Sequence, residues 1–385
     1  MTAPLDNDAD LPAADAADAG AAAGVGAAAL SLAAATADGA QATGPRAAGS
    51  PARWRAHFRV PRGPYAAIWP ATALLFAVSP LVASGSDGSS ALRSTLPFAA
   101  ILAIVGIGQT LVIQQRGLDL SVPGVISLSA ILVTKLPNGS DSGLLTAVIV
   151  VILASALAGL VSGLAVTRLG ITPLVATLGV NALLLGTILQ ITGGSSAASA
   201  PPALASFTFG RVVGVSYLVL IALALVAGVA FVVRRTTTGR RFVAIGTSAV
   251  AARAAGMPVR RYQAVTYSIA AVCYGLAGML VAGYLQTPGL SAGNNYLLPS
   301  IAAVVLGGTS LAGGGGSVLA TAVGALFLTQ LQQVVFGAGA PTSVQLLVQS
   351  IAIGLGMALR SIPWRRWSGG FRRSPLGARR AAGAG

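Results

Sequence analysis

Apolar stretches recur along this chain at about the length a helix needs to cross lipid. Spanning roughly 30 Å of hydrocarbon takes about 20 apolar residues in an α-helix. Ten stretches meet or approach that length: residues 65–84, 96–115, 119–136, 144–166, 171–192, 215–234, 262–286, 298–312, 317–336 and 343–360. The pattern predicts an all-α polytopic membrane protein with about ten transmembrane helices. Two segments, near 117–124 and 298–316, are interrupted by Gly and Pro. The eighth stretch is short, so it either crosses fully or re-enters.

Composition agrees with lipid as the solvent. Of 385 residues, 55% are hydrophobic and 9% charged, against roughly 25% charged in a soluble domain. Mean hydropathy is +0.80. Glu is absent, Lys135 is the only Lys, and six of the nine Asp lie in the first 40 residues. A single Cys (Cys273) and a single His (His57) exclude a disulfide framework, Cys or His metal clusters and Ser/His/Asp catalysis. No metal or cofactor is expected. The net charge of +15 does not point to nucleic acid, because the Arg residues flank apolar spans and read as topology signals.

The first 50 residues are Ala/Gly-rich and acidic, without the basic start of a signal peptide. Residues 1–62 are expected to be a disordered cytoplasmic tail, 63–361 the membrane domain and 362–385 a basic cytoplasmic tail. If all ten stretches cross, 21 of the 24 basic residues fall on one side; the other side keeps Arg93, Lys135 and Arg211. That is a strong positive-inside signal for a bacterial inner membrane protein with both termini cytoplasmic. An even number of crossings after Arg261 is required, or the C-terminal Arg cluster would lie outside.

Small residues stud the spans, among them Ala154, Ser155, Ala158, Gly159, Ser162 and Gly163 in the fourth. Such residues let helices approach closely in lipid, although a composition bias gives the same pattern. Residues 116–124 read RGLDLSVPG. Asp119 or Ser121 can cap a helix, and Pro123 suits its first turn. The segment is either a capped surface turn or a discontinuous helix with Asp119 facing the interior, where a carboxylate marks a functional candidate. The eighth stretch holds Pro299 and then IAAVVLGGTSLAGGGGS. Division into five plus five makes the third and eighth stretches equivalents in inverted halves, and paired interruptions of this kind point to a transport site. Gly313–Gly316 is not followed by Lys-Ser/Thr, so it is no phosphate loop. Any ATP must be used by another chain.

The one long charged loop of the membrane domain is 235–261. Ser248 is a plausible N-cap for a short helix over Ala249–Ala255, closed by Gly256 with Pro258 behind it. It reads either as a docking helix or as a solvated loop held inside by its Arg residues.

Three stretches carry a family resemblance: GLDLSVPG (117–124), TTGRRFVAIGTSAVAARAAGMPV (237–259) and IAAVVLGGTSLAGGGGSVLATAVGAL (301–326). The chain resembles the permease subunits of sugar-type ABC importers, the family of the ribose permease, over about residues 90–360. The resemblance implies a pore built from two permease copies, an ABC ATPase subunit pair and an extracytoplasmic solute-binding protein. It also implies that the loop around Ala244–Gly256 meets the ATPase, with Gly239, Arg240, Ala244, Gly246, Ala251, Ala252, Arg253 and Gly256 as coupling residues. Two departures stand out. Pro123 replaces a usual Gly, and Ala249 and Val250 stand where acids are common.

The expected function is the pore of an ATP-driven importer moving a monosaccharide or related polyol by alternating access. Nucleosides or branched-chain amino acids are the alternative cargo. Candidate pathway residues are Gln109, Asp119, Ser121, Asn181, Gln190, Asn294 and Asn295, each of which can equally be interhelical glue. Pro123, Gly124, Gly307, Gly308, Gly313 and Gly314 are candidate hinge or packing positions. A proton-coupled transporter would need Asp, Glu or His relays, and the spans hold only one acid. An intramembrane enzyme would need a partner for Cys273. The charge map predicts that a green fluorescent protein fused after Gly385 fluoresces in the cytoplasm, whereas alkaline phosphatase fused there is inactive. Active phosphatase would reverse the topology.

Overall fold

The structure, a computed structural model, describes residues 65–83, 88–195 and 199–361. The tails expected at 1–62 and 362–385 lie outside the described residues. All described residues belong to one compact unit, Arg59–Gly385.

Ten helices match the ten apolar stretches in order. They are α1 (Ile68–Val82), α2 (Ser89–Gln114), α3 (Val122–Lys135), α4 (Leu144–Thr167), α5 (Pro173–Thr192), α7 (Tyr217–Arg235), α10 (Val259–Leu285), α11 (Asn294–Leu306), α12 (Val318–Gly337) and α13 (Thr342–Ser361). Three further helices, α6 (Pro202–Phe209), α8 (Thr237–Thr247) and α9 (Ala249–Ala254), lie between spans. Six of the ten, α2, α4, α5, α7, α10 and α12, have the length and hydropathy to cross a membrane. The fold is all-α and polytopic.

Both interruptions expected from the sequence occur, the first ahead of α3 and the second after α11. Helix α3 has 14 residues and α11 has 13, each about 20 Å long by helical rise and short of a full crossing. The eighth helix is displaced from the expected 298–312. It starts at Asn294 and stops at Leu306, because Gly307 follows it and Gly308 takes φ +89°, a conformation that ends helices. The two broken elements touch. The amide of Gly293, just ahead of α11, donates to Ser127 Oγ of α3 at 2.9 Å.

Helices α2 and α10 form the centre. The apolar window of α2 is 89% buried and that of α10 67%, against 28% for α4 and 17% for α7. Neighbours repeat by exchange of halves. Helix α4 packs along α10 as α12 does along α2, and α3 lies on α10 as α11 lies on α2. The pairs α3 with α4 and α5 correspond to α11 with α12 and α13. The first helices break the rule, since α1 and α7 both pack on α12.

Size rather than polarity decides which face is buried. On α4, Ser155, Ala158, Gly159, Ser162 and Gly163 are buried, while Leu153, Leu157, Leu160 and Leu164 are exposed. A Cβ on Gly159 would sit 2.7 Å from Ser268 Cα and from Ala271 Cβ of α10. Interhelical contact here is backbone against backbone, the arrangement that lipid-solvated helices favour. Gly159→Val should therefore cost about 1–3 kcal/mol by overpacking, read as a lower melting temperature in detergent. Gly228→Ala on α7, where nothing lies within 4 Å of the new Cβ, should melt like the parent.

Candidate functional site

The chain from Gly117 to Ser121 is not helical, yet Leu120 and Ser121 are buried among helices. Backbone inside a bilayer must find partners within the protein, and here side chains supply them. Gln109 Nε2 of α2 donates to the Asp119 carbonyl at 2.7 Å. Leu120 N donates to Thr177 Oγ1 of α5 at 3.0 Å. Gly124 N, in the first turn of α3, donates to Asn181 Oδ1 at 2.8 Å. Thr177 and Asn181 are four apart and so share one face of α5. Asp119 Oδ1 accepts from both Ser121 N (2.9 Å) and Ser121 Oγ (2.6 Å). The cap of α3 is thus shared between its own Asp119 and a neighbouring helix, with Pro123 in the first turn.

This segment climbs beside α10. Gly117 stands against Tyr267, and Ile126 against Gly278, eleven residues or about 16 Å further along that helix. Asp119, Gln109 and Ser121 are all 0% exposed. Around them Asp119 Oδ2, Gln109 Oε1 and the hydroxyls of Tyr267 and Tyr274 are buried without a hydrogen-bond partner among the described residues. Unsatisfied buried groups of this kind weaken packing.

The other pathway candidates are dispersed. Asn181 is half-buried and occupied by Gly124, whereas Asn294 and Asn295 are exposed at the start of α11. Gln190 is exposed on α5, where with Gly179, Ala182, Leu183, Gly186 and Thr187 it lines a shallow cavity of about 510 Å³.

At the end of the bundle where α2 finishes, the Arg-rich loop folds into α8 and α9. Thr236 caps α8 through Gly239 N at 3.0 Å, and Ser248 caps α9 through Ala251 N at 3.2 Å. The short helix after Ser248 is as expected, closed by Gly256 at φ +75°; the preceding helix α8 is not among the elements expected from sequence. Gly239, Gly246 and Ala252 are buried, and Arg240, Ala244, Ala251, Arg253 and Gly256 are exposed beside Val250. The pair is tied to α2. Gln115 Nε2 donates to Phe242 O at 2.7 Å, Arg116 Nε to Gly246 O at 3.0 Å and Arg116 Nη2 to Thr247 O.

The glycine run joins the same knot. Gly314 N donates to Gln114 O at 2.9 Å. A Cβ on Gly313 would lie 3.0 Å from Gly246 O and one on Gly314 2.8 Å from Thr247 Oγ1. Both take positive φ, +85° and +76°. Gly307 packs against the Ala320–Thr321 backbone. The stretches 117–124, 237–259 and 301–326 therefore adjoin one another around the final turn of α2. Sequence reading missed Thr177, Gln114, Gln115 and Arg116 as its clamps. Polar residues at a span end were the only signal, and that signal is common.

A ten-helix apolar bundle with two broken helices and a structured loop at one end defines a polytopic membrane permease. The chain belongs to the family described as branched-chain amino acid transport system / permease component, which matches residues 92–355. It is 32% identical over 277 residues to the autoinducer 2 import system permease protein LsrD of Photorhabdus laumondii, covering 70% of this chain and 83% of the relative. It is 32% identical over 270 residues to the ribose import permease protein RbsC of Escherichia coli, covering 69% and 84%. The autoinducer 2 import system permease protein LsrC of Escherichia coli is 34% identical over 236 residues, covering 61% and 69%. No solved structure matches the chain.

Replacing Asn181 with Leu strands the Gly124 amide in the interior, at a cost of about 1–3 kcal/mol. The expected result is a lower melting temperature with faster amide exchange across 121–125. Exchange unchanged there would show that α3 does not depend on this cap.

Proposed function

We propose that this chain is the transmembrane pore subunit of an ABC importer, carrying a monosaccharide or related polyol inward by alternating access. ATP hydrolysis belongs to a separate ATPase subunit, and solute capture to an extracytoplasmic binding protein. The observation that carries the reading is the exposed surface of α9, bearing Val250, Ala251 and Arg253, on a loop bonded directly to the end of α2. A push on α9 reaches Arg116 and then, through α2, the Gln109 bond to the Asp119 segment. Positive-inside counting puts this end in the cytoplasm.

The chain core is sealed around Gln109, Asp119 and Ser121, so these residues support the break in α3 rather than lining an open path. The solute route runs instead along the α5 face with Gly179, Gly186, Thr187 and Gln190. Polar side chains and bare glycines on a spanning helix are poorly served by lipid, and a second copy of the permease covers them. The relative named for ribose import supports a sugar, whose hydroxyls need hydrogen-bonding groups and no counter-ion. The family description favours branched-chain amino acids as the second reading.

Ala251→Glu places an exposed charge on the docking face without touching the bundle. With the partner ATPase and binding protein present, uptake should fall about tenfold, equivalent to about 1.4 kcal/mol of coupling, at unchanged expression and melting temperature. Transport at the parental rate would remove α9 from the coupling path.

A further inference from the structure

The starts of α3 and α11 meet halfway through the bundle, and the chain between α10 and α11 descends to reach that level. Gly124, in the first turn of α3, is bonded to Asn181, near the middle of the 20-residue α5. Gly293 stands at the same depth. Its amide rests on Ser127 Oγ at 2.9 Å, and the Pro123 carbonyl leaves no room for a side chain on it. Helix α10 ends at Leu285, seven residues beyond the Gly278 that packs on Ile126. The non-helical residues 286–293 therefore drop back into the bundle by about 10 Å.

The descent is held at its top. Gln286 turns the chain at φ +66°, a conformation that residues other than Gly seldom take. Its Nε2 donates to Gly283 O at 2.6 Å, and its carbonyl accepts from Ala200 N at 2.7 Å. Below that turn the side chains sort by polarity. Pro288 is buried and Leu290 and Ala292 are half-buried, whereas Thr287, Ser291, Asn294 and Asn295 are exposed. The side chains of those four make no hydrogen bond among the described residues. Helix α4 does the reverse where its Ser155 meets Ser129 of α3, exposing Leu153 and Leu157 and burying Ser155 and Ala158. Lipid suits that face of α4. It does not suit this segment, because an amide or hydroxyl without a partner in hydrocarbon costs about 2–7 kcal/mol. Irregular backbone at such depth persists only within protein or beside a water-filled cavity.

Charge narrows what such a cavity can take. No Asp, Glu, Lys, Arg or His occurs between Arg261 and Arg360, and Asp119 is sealed inside. The exposed groups are amides and hydroxyls, each able to donate and to accept. We infer that Thr287, Ser291, Asn294 and Asn295 form a water-lined station at half depth on the solute route, where they exchange hydrogen bonds with an uncharged, hydroxyl-rich solute. The inference rests on the importer reading above and deepens it, because a zwitterionic amino acid would find no counter-charge here for either of its ends. Gly179 and Leu183 of α5, on either side of Asn181, lie at the same level.

Cys273 is the only Cys and is buried, so Cys273→Ala gives a background for single-cysteine labelling. Ser291→Cys and Asn295→Cys are made in it, assembled with the ATPase and binding protein in nanodiscs, and treated with a membrane-impermeant cationic methanethiosulfonate. Both should react at least about tenfold faster than Leu157→Cys on the α4 face, since the reactive thiolate forms in water and not in apolar surroundings. Ribose or xylitol at millimolar concentration should slow the reaction at both positions, and leucine should not. Asn295→Leu should cut ATP-driven uptake about tenfold at parental melting temperature, whereas Asn295→Ser, which keeps a donor and an acceptor, should retain most of it. Reactivity as low as that of Leu157→Cys at both positions overturns the inference, whether lipid or a second permease copy covers the segment. Protection by leucine alone, or by none of the three solutes, overturns it too, as does parental uptake by Asn295→Leu. The importer reading fails separately if uptake by the unsubstituted complex continues with an ATPase unable to hydrolyse ATP, an outcome that leaves labelling and protection as they were.

Discussion

A stretch of backbone that is not helical, buried among helices at Asp119–Ser121, is the constraint around which this bundle is arranged. Residues 117–121 cannot bond to themselves as a helix does, so α2 lends Gln109 and α5 lends Thr177. Those loans fix three helices relative to one another. They also explain why α3 begins beside the middle of α10 rather than at a membrane surface, and why Gly293 can reach Ser127 from the other broken helix. Break the supply of donors and acceptors, and the segment has only lipid to face.

Helix α2 takes part in several of these arrangements. Its buried middle packs on α10 and α12, where Thr110 and Thr321 hydroxyls meet at 2.8 Å. Its last turn holds the loop that carries α8 and α9 and the glycine run, and Arg93 in its first turns lines a cleft with Arg211. A rod held this tightly along its length transmits displacement better than it absorbs it, since packed interiors are stiff. The broken helices α3 and α11, with 14 and 13 residues, are the shortest of the ten that match apolar stretches.

Much of the fold could be read from hydropathy. Each of the ten apolar stretches became a helix, with most ends within a few residues, because length and apolarity are set locally. Helix α2 starts well ahead of the expected residue 96, at Ser89, and the early stop of α11 at Leu306 came from giving a Gly-Gly pair too little weight. Helix α8 escaped notice because its apolar positions Phe242, Val243 and Ile245 are few and its remainder is polar or small. The hairpin at 211–216 also escaped, since its turn carries Val where Asn or Gly would have announced it.

The sequence by itself determined that the chain is a multi-pass membrane protein, where its apolar helices lie, where two of them break and which short loop stands out in charge. These are properties of windows of some twenty residues, and solvent transfer energy acts window by window. Only the tertiary structure decided which polar residues are structural and which are free. Gln109, Asp119 and Asn181 look alike along the chain as polar residues among apolar ones, yet two are sealed inside and one caps a neighbour's helix. Partnership in hydrogen bonds is settled by which helix lies alongside, and that depends on small residues distributed over hundreds of positions.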